Sequence, residues 1–207
     1  MELLAKKFTD NSMTGICPLQ YDSKALLSRL EHKEWYLPEL EKMHEHRKCE
    51  WLSIRLLIKE MLGEEKEIRY QPNGKPYLTD GSHNISISHT KGYVAVILSR
   101  GKEVGIDIER ISQRVKKVVK RFMNEEEIQH IPLDGEIVYL LLHWSAKESV
   151  FKVLNTEIVD FKKQIIISSF KPIYNGWGVF EAKETKTNTS FPVYYFVTGD
   201  FVLTLIE

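Results

Sequence analysis

Two segments constrain this chain most, because each predicts a regular element with charged side chains on one face. They are Val104-Gly105-Ile106-Asp107-Ile108-Glu109 and Trp144-Ser145-Ala146-Lys147-Glu148-Ser149-Val150-Phe151-Lys152. The first alternates apolar and acidic residues, which predicts a β-strand with Asp107 and Glu109 on the same face. The second has apolar residues at helical spacing, with Glu148 and Lys152 four residues apart on its surface. Three carboxylates and one lysine are therefore the candidate functional groups.

This combination of side chains suits chemistry on a diphosphate. Mg²⁺ prefers about six oxygen ligands, and proteins usually supply only a few carboxylates, so water and substrate phosphate complete the shell. Asp107, Glu109 and Glu148 have the right donor type, and Lys152 adds a compact positive charge for phosphate. The residues alone leave a simpler interpretation open, namely an acidic half-exposed strand and an ordinary surface Glu–Lys pair.

Five blocks follow one another along the chain. They are Arg47 to Arg55, Asn73-Gly74-Lys75-Pro76, Asn84-Ile85-Ser86-Ile87-Ser88-His89-Thr90, Gly105 to Glu109, and Trp144 to Lys152. Taken in this order, the blocks resemble the 4′-phosphopantetheinyl transferases, and more specifically the two-domain, surfactin-synthetase-activating type, whose chains have about this length. Their order and approximate spacing match the family, which makes a joint chance match improbable.

The resemblance implies an α+β fold built as a pseudo-dimer of two similar halves. Each half is a small antiparallel sheet packed with a long helix, and the active site lies between the halves. Helical segments that precede strand-rich stretches agree with such a duplication. The predicted boundary is near Arg100 to Lys102, giving a half at 1–102 with coenzyme A contacts and a half at 103–207 with the metal and catalytic residues.

The activity implied by the resemblance is transfer of 4′-phosphopantetheine from coenzyme A to a serine of an apo acyl or peptidyl carrier protein. Adenosine 3′,5′-bisphosphate is the other product. Mg²⁺ would be held by Asp107, Glu109 and Glu148, with Glu109 the least fixed of the three because family members vary there. Lys152 would assist at the phosphates. Glu148, directly or through a metal-bound water, would accept the serine proton.

The same resemblance assigns several residues to coenzyme A, each of which also has a simpler interpretation. A basic helix edge, a solvated turn lysine and a histidine that satisfies backbone groups at a strand end would explain them without a ligand. The planar fork of arginine suits phosphate and nucleotide contacts. The residues assigned in this way are Arg47, Arg55, Lys75, Ser88, His89 and Lys152.

Two further features follow the acidic strand along the chain. A basic cluster predicts a docking surface for an acidic carrier protein through charge complementarity, although an ordinary solvated surface is the simpler interpretation. Glu127 also matches a family segment, but we favour a solvated helix face for it. The basic cluster consists of Arg114, Lys116, Lys117, Lys120 and Arg121.

Composition limits the partners. With 29 basic and 29 acidic residues, the formal net charge is zero, so no global field favours nucleic acid or an anionic membrane. Cys17 and Cys49 have no zinc-like or CxxC spacing, which argues against a disulfide framework or structural zinc. Met1 to Asp10 lacks an apolar stretch of signal-peptide length, and no segment approaches the roughly 20 apolar residues of a membrane span. We expect a cytoplasmic monomer.

Regular elements are also predicted outside the two leading segments. A helix is expected over Glu39 to Leu62, ended by Gly63, and another over Val115 to His130. The stretch Asn84 to Ser99 predicts two strands joined by a bend at Lys91-Gly92. Further strands are predicted at Ile165 to Ser168, Gly178 to Ala182, Phe191 to Val197 and Phe201 to Ile206.

Two other functional classes stay open. A different metal-dependent enzyme that acts on a diphosphate or phosphoester would use the same carboxylates. A non-catalytic carrier-protein or nucleotide-binding module of the same fold would need none of them. Asp107, Glu148 and Lys152 are all present, and this argues against a site that has lost its chemistry.

Overall fold

The computed structural model describes residues 5–8, 11–154 and 160–207, with backbone only for 5–8. Most of the Met1 to Asp10 stretch considered above lies outside the described residues. The chain divides into two compact units, Met1–Glu103 and Val104–Glu207. Each unit has its own cluster of buried apolar side chains.

The described residues of the amino-terminal unit form three α-helices and six strands. The helices are α1 (Ser23–Ser28), α2 (Leu37–Leu40) and α3 (Glu45–Leu62), with a 3₁₀ helix at Lys33–Trp35. The strands are β1 (Ala5–Phe8), β2 (Ser12–Pro18), β3 (Ile68–Tyr70), β4 (Pro76–Leu78), β5 (Asn84–Thr90) and β6 (Tyr93–Ser99).

A four-stranded antiparallel sheet and helix α3 form the core of this unit. The strand order is β1-β2-β6-β5, while β3 and β4 form a separate two-stranded ribbon. Helix α3 packs on β2 and β6, and its middle turns, from Cys49 to Ile58, are buried. The predicted hairpin from Asn84 to Ser99 is confirmed, with each residue of β5 paired to β6.

Helix α3 ends where the sequence predicts but begins later. Gly63 follows the last turn with φ 78°, the left-handed conformation that glycine adopts without a Cβ penalty. The predicted start at Glu39 is wrong, because His44 has extended backbone and interrupts the helical hydrogen bonds. Pro38 instead lies in the first turn of the short α2, a position that proline tolerates well.

In the carboxyl-terminal unit, the parts of the chain that the structure describes form four α-helices and five strands. The helices are α4 (Val119–Phe122), α5 (Glu125–Gln129), α6 (Glu136–Leu154) and α7 (Phe161–Gln164), with a 3₁₀ helix at Gln113–Lys117. The strands are β7 (Gly105–Arg110), β8 (Ile165–Ile167), β9 (Gly176–Glu184), β10 (Thr189–Val197) and β11 (Phe201–Ile206). All four strands predicted after Ile165 are therefore confirmed.

The strands of this unit form one antiparallel sheet in the order β7-β11-β10-β9-β8. The long helix α6 packs on β7 and β11. Each unit thus combines an antiparallel sheet with one long helix, as the α+β prediction requires.

The predicted helix over Val115 to His130 is wrong as a single element. It is divided into the 3₁₀ helix, α4 and α5, because Met123 and Asn124 have extended backbone. The Asn124 side chain accepts a hydrogen bond from the Glu127 N–H, and the Glu127 carboxylate accepts one from the Asn124 N–H. This capping box starts a new helix at Glu125.

No helix in the described ranges has both the length and the apolar character needed to cross a membrane. Cys17 and Cys49, which both lie in those ranges, are buried free thiols.

Candidate functional site

Strand β7 carries the two acidic residues of the first leading segment. It pairs with β11, so that Asp107 lies opposite Thr204 and Glu109 opposite Val202. Asp107 is 6 % exposed and Glu109 is half-buried, while the intervening Ile108 is buried. The confirmed strand therefore holds both carboxylates at fixed backbone positions with little access to water.

Helix α6 lies unusually close to this strand because small residues line the contact. The hydroxyls of Ser145 and Ser149 lie 2.9 and 2.8 Å from the Thr204 hydroxyl, and Ser145 Oγ also donates to the Asp107 carbonyl oxygen at 3.2 Å. A Cβ added at Gly105 would overlap the Ser149 carbonyl oxygen. Serines and glycine at these positions let the helix backbone approach the sheet.

The close approach brings Lys152 to Asp107. The Lys152 Nζ donates to Asp107 Oδ1 at 3.0 Å and to the Ile106 carbonyl oxygen at 2.7 Å. Glu148, one turn earlier on α6, is half-buried and close enough to interact electrostatically with both Asp107 and Lys152. The four predicted groups of the two leading segments therefore meet in one cluster.

The charges in this cluster perturb one another. Burial raises the pKa of Glu109 to about 7, and the negative charges of Asp107 and Glu148 act in the same direction. Burial also raises the pKa of Glu148, with Asp107 adding to the shift and Lys152 opposing it. The carboxylates therefore form a site with excess negative charge, which an added cation would relieve.

The donor chemistry of this cluster fits Mg²⁺, but the present side-chain positions do not form a coordination shell. Across the described residues, no group of three or more His, Cys, Asp or Glu side chains is arranged to hold a metal ion. The three carboxylates nevertheless supply hard oxygen donors, and the Lys152 ammonium already offsets charge at Asp107.

In the amino-terminal unit, Arg47 and His89 lie together on the exposed side of α3 and β5. The Arg47 Nη1 is 3.4 Å from His89 Nε2, and Glu50 Oε2 lies 3.1 Å from the former and 3.4 Å from the latter. The His46 ring contacts the other Glu50 oxygen at 3.3 Å. Glu50 thus connects three groups that can be cationic.

The other residues assigned to coenzyme A lie apart from this contact. Lys75 follows the Gly74 turn and forms an ion pair with Glu103. Ser88 is buried one residue before His89. Arg55 is 3 % exposed and stacks on Trp51, with Cζ 3.2 Å from the ring centroid. Arg47 and Arg55 share α3, but one is exposed and the other buried.

The comparison with protein families identifies the carboxyl-terminal unit. A family model described as the 4′-phosphopantetheinyl transferase superfamily matches residues 103–206, half of the chain. The chain belongs to this superfamily. The matched range contains the whole β7 to β11 sheet and helix α6, and therefore the complete carboxylate cluster.

Known transferases of this superfamily are similar to about half of this chain. The 4′-phosphopantetheinyl transferase gsp of Aneurinibacillus migulanus is 31 % identical over 110 residues, which cover 51 % of this chain and 46 % of that protein. The 4′-phosphopantetheinyl transferase AcpT of Salmonella typhi is 28 % identical over 112 residues, covering 51 % and 58 %. AcpT of Salmonella typhimurium gives the same values. The chain spans about half the length of the curated relatives it matches.

Sequence reasoning missed the contact of Trp144 with the carboxylate cluster. Its indole Nε1 donates to Glu109 Oε1 at 2.8 Å, and its ring packs against Phe122 and Phe161. The Trp144 side chain therefore fixes one oxygen of Glu109. The only signal in the sequence was a tryptophan four residues before Glu148, on the same helix face.

The prediction of a solvated Glu127 is wrong. Glu127 is 4 % exposed, and one of its oxygens lies 2.8 Å from Nζ of Lys147, which has no exposed side-chain surface. The same lysine donates to the carbonyl oxygens of Phe122 and Phe161, and the other Glu127 oxygen accepts the Ile167 N–H. This buried ion pair links α6 to α5. The Asn124-x-x-Glu127 spacing was the signal that could have found it.

Proposed function

We propose that this chain is a 4′-phosphopantetheinyl transferase of the two-domain type. It transfers phosphopantetheine from coenzyme A to a serine of an apo acyl or peptidyl carrier protein and releases adenosine 3′,5′-bisphosphate. The observation that carries this proposal is the interacting cluster of Asp107, Glu109, Glu148 and Lys152 within the range that matches the superfamily. The transferases named above are similar over about half of this chain.

The carboxylate cluster is the proposed metal site. Asp107, Glu109 and Glu148 would hold Mg²⁺, which would offset the negative charge that builds on the pyrophosphate. The raised pKa values of Glu109 and Glu148 support this assignment, because their shared charge favours a bound cation. The hydrogen bond from the Trp144 indole holds the Glu109 carboxylate beside helix α6.

Glu148 is the proposed proton acceptor. A serine hydroxyl is a weak nucleophile near neutral pH, so a carboxylate must take its proton as the bond to phosphorus forms. Burial raises the pKa of Glu148, which makes its ionised form a stronger base than a solvated glutamate. Lys152, which carries the positive charge of the cluster, is assigned to the phosphates.

The amino-terminal unit, with its boundary near Arg100 to Lys102, is the proposed source of the coenzyme A contacts. Arg47 and His89 are in contact with each other and present donors at the protein surface. The proposed contacts are Arg47, Arg55, Lys75, Ser88 and His89, and Lys152 adds a contact from the other unit.

The basic cluster is the proposed docking surface for an acidic carrier protein. All five members are exposed on the 3₁₀ helix and α4, and Lys116 forms an ion pair with Glu136. Exposed charges at the edge of an interface mainly accelerate association of the two proteins and make its rate sensitive to salt. We further propose that the two units form a pseudo-dimer within one chain, and that the protein acts as a cytoplasmic monomer without nucleic-acid or membrane partners.

Intact mass spectrometry of apo carrier proteins tests the reaction. An apo acyl carrier protein and an apo peptidyl carrier protein are each incubated with the chain, coenzyme A and Mg²⁺, with EDTA in a parallel sample. The expected result is a gain of one phosphopantetheine that EDTA abolishes. Release of adenosine bisphosphate without a carrier would indicate a different phosphoester enzyme, and no gain on either carrier would contradict the proposed scope.

The variant Glu148→Gln tests the proton acceptor. The amide keeps the size of the side chain but removes the base, so turnover should fall about 10²- to 10⁴-fold. Glu181→Gln, at an exposed position on β9, is the matched control and should keep wild-type turnover. Near-normal turnover of a folded Glu148→Gln protein would refute the role of Glu148.

A further inference from the structure

A pocket of about 610 Å³ lies within the amino-terminal unit. Aromatic side chains from three elements form its walls, namely Trp35, Tyr36, Trp51 and Tyr70, and Arg55 lies among them. The volume falls in the range of about 300–1,000 Å³ that is typical of small-molecule sites, and such sites combine apolar walls with a few fixed polar groups.

Arg55 is held in one orientation inside this pocket. Its guanidinium lies over the Trp51 ring, and its Nη1 donates to the Trp51 carbonyl oxygen at 3.1 Å. The Nε and Nη2 donors, in contrast, have no hydrogen-bond partner among the residues that the structure describes. These two donors form one edge of the guanidinium, the edge that binds both oxygens of a carboxylate or phosphate side by side.

Burying a cation with two donors that lack hydrogen-bond partners costs free energy, unless a ligand accepts those two hydrogen bonds. An unsatisfied buried charged group costs more free energy than an unsatisfied buried neutral one. Burial lowers the pKa of Arg55 to about 10, and Tyr70, by its charge and by a hydrogen bond to the guanidinium, and Tyr36, by its charge, oppose that shift. Arg55 therefore stays cationic at neutral pH.

We propose that this pocket binds a planar aromatic ring that carries a carboxylate or phosphate oxyanion. The oxyanion binds the Nε and Nη2 edge of Arg55, and the ring packs between the aromatic walls. Tyr70 is 46 % exposed and lies beside the guanidinium, so its side chain has room to move when the oxyanion enters.

Acidic side chains narrow the ligand class further. Glu34, Glu39 and Glu67 also line the pocket. Each contacts a basic side chain through one oxygen, namely His32 at 3.1 Å, Lys42 at 3.1 Å and Arg69 at 3.0 Å, which leaves the second oxygen of each carboxylate as a further acceptor. A ring with an amino group at the end opposite its oxyanion would donate hydrogen bonds to these carboxylates. The ligand class follows from the pocket residues themselves, although Arg55 is also one of the proposed coenzyme A contacts.

Calorimetric titration of the full chain tests the proposal with three probes. The first is 4-aminobenzoate, the second is its uncharged methyl ester, and the third is adenosine 3′,5′-bisphosphate. We expect 4-aminobenzoate to bind at least about tenfold more tightly than the ester, because only the acid can use both donors of Arg55. This comparison uses the wild-type protein and needs no variant.

Variants then locate the site. Arg55→Met should weaken 4-aminobenzoate binding at least about tenfold, and Tyr70→Ala, at a half-exposed wall position, should weaken it less. Arg29→Met removes an exposed arginine that is paired with Glu60 and does not line the pocket, so it should bind like wild type. Tyr70→Ala keeps the test informative if Arg55→Met does not fold.

The outcomes separate the possible sources of the ligand. Arg55-dependent binding of 4-aminobenzoate supports a site for a free aromatic acid. Arg55-dependent binding of the bisphosphate alone supports the same chemistry supplied by the nucleotide end of coenzyme A. Equal affinity for the acid and its ester, equal binding by Arg55→Met and Arg29→Met, or no binding of either anion would overturn the proposal.

Discussion

At the scale of single residues, the raised pKa of Glu109 has a consequence for stability. Its value is about 7 in the folded protein, against 4.5 for an ordinary glutamate. Between these values the folded state binds more protons than the unfolded state. The free energy of unfolding of the metal-free protein should therefore fall as pH rises from 4.5 to 7, by at most about 1.4 kcal/mol per pH unit from this group.

The variant Glu109→Gln isolates this effect. Because glutamine does not ionise, the variant should gain stability relative to wild type as pH rises, by about 2–3 kcal/mol between pH 5 and pH 8. Urea denaturation in EDTA at the two pH values measures the difference. Glu181→Gln should show the same difference from wild type at both pH values. A Glu109→Gln variant that behaves in the same way would show that the carboxyl is not perturbed.

At the scale of secondary-structure elements, the close contact of α6 with β7 depends on Gly105. The change Gly105→Ala places a methyl group against the Ser149 carbonyl oxygen, and overpacking of this kind costs about 1–3 kcal/mol. Urea denaturation should show this loss, and turnover should fall with it because α6 carries Glu148. Gly199→Ala is the matched control, since no atom lies within 4 Å of its added Cβ.

The buried pair of Lys147 and Glu127 makes a second prediction for α6. Lys147→Met leaves the Glu127 carboxylate buried without its cation, which should cost about 3–5 kcal/mol of unfolding free energy. Lys116→Met, which breaks an exposed pair with Glu136, should cost at most about 1 kcal/mol. Similar losses for the two variants would mean that the buried pair contributes no more than a surface pair.

Local patterns predicted elements well where one periodicity continues without interruption. The alternation at Gly105 to Glu109 and the turn at Lys91-Gly92 both appear as expected. Boundaries failed where a single residue changes backbone conformation, as at His44 and Asn124. Periodicity does not report such a change, because it describes side-chain faces and not the hydrogen bonds of individual turns.

The sequence indicated candidate residues but not the contacts between them. Asp107, Glu148 and Lys152 could be chosen as candidates because their spacing is local within a strand and a helix, and the structure places them in one cluster. The Trp144–Glu109 hydrogen bond and the burial of Arg55 depend on side chains from elements distant in sequence. Spacing within one element cannot predict how two elements pack, so these contacts required the structure.

At the scale of the whole molecule, the two units have separate cores. The buried cluster of the first runs from Cys17 to Leu98, and that of the second from Val115 to Ile206. A destabilising change in one core should therefore lower the free energy of unfolding of that unit before it affects the other.

Hydrogen exchange of the Lys147→Met variant measures this separation. Exchange should become faster in α6, β10 and β11, while β5 and β6 keep the protection of the wild-type protein. Gly199→Ala should leave the exchange of both units unchanged. An equal increase in both units would show that the chain unfolds as one cooperative body.

The complete burial of Lys147 also determines its chemical reactivity. An acylating reagent cannot reach an ammonium group that has no exposed side-chain surface, whereas Lys163, with 83 % of its side chain exposed, should react at once. Acylation of Lys147 would then occur only when α6 separates from its neighbours. If opening and closing are fast relative to acylation, the labelling rate of this lysine gives the equilibrium population of the open state directly.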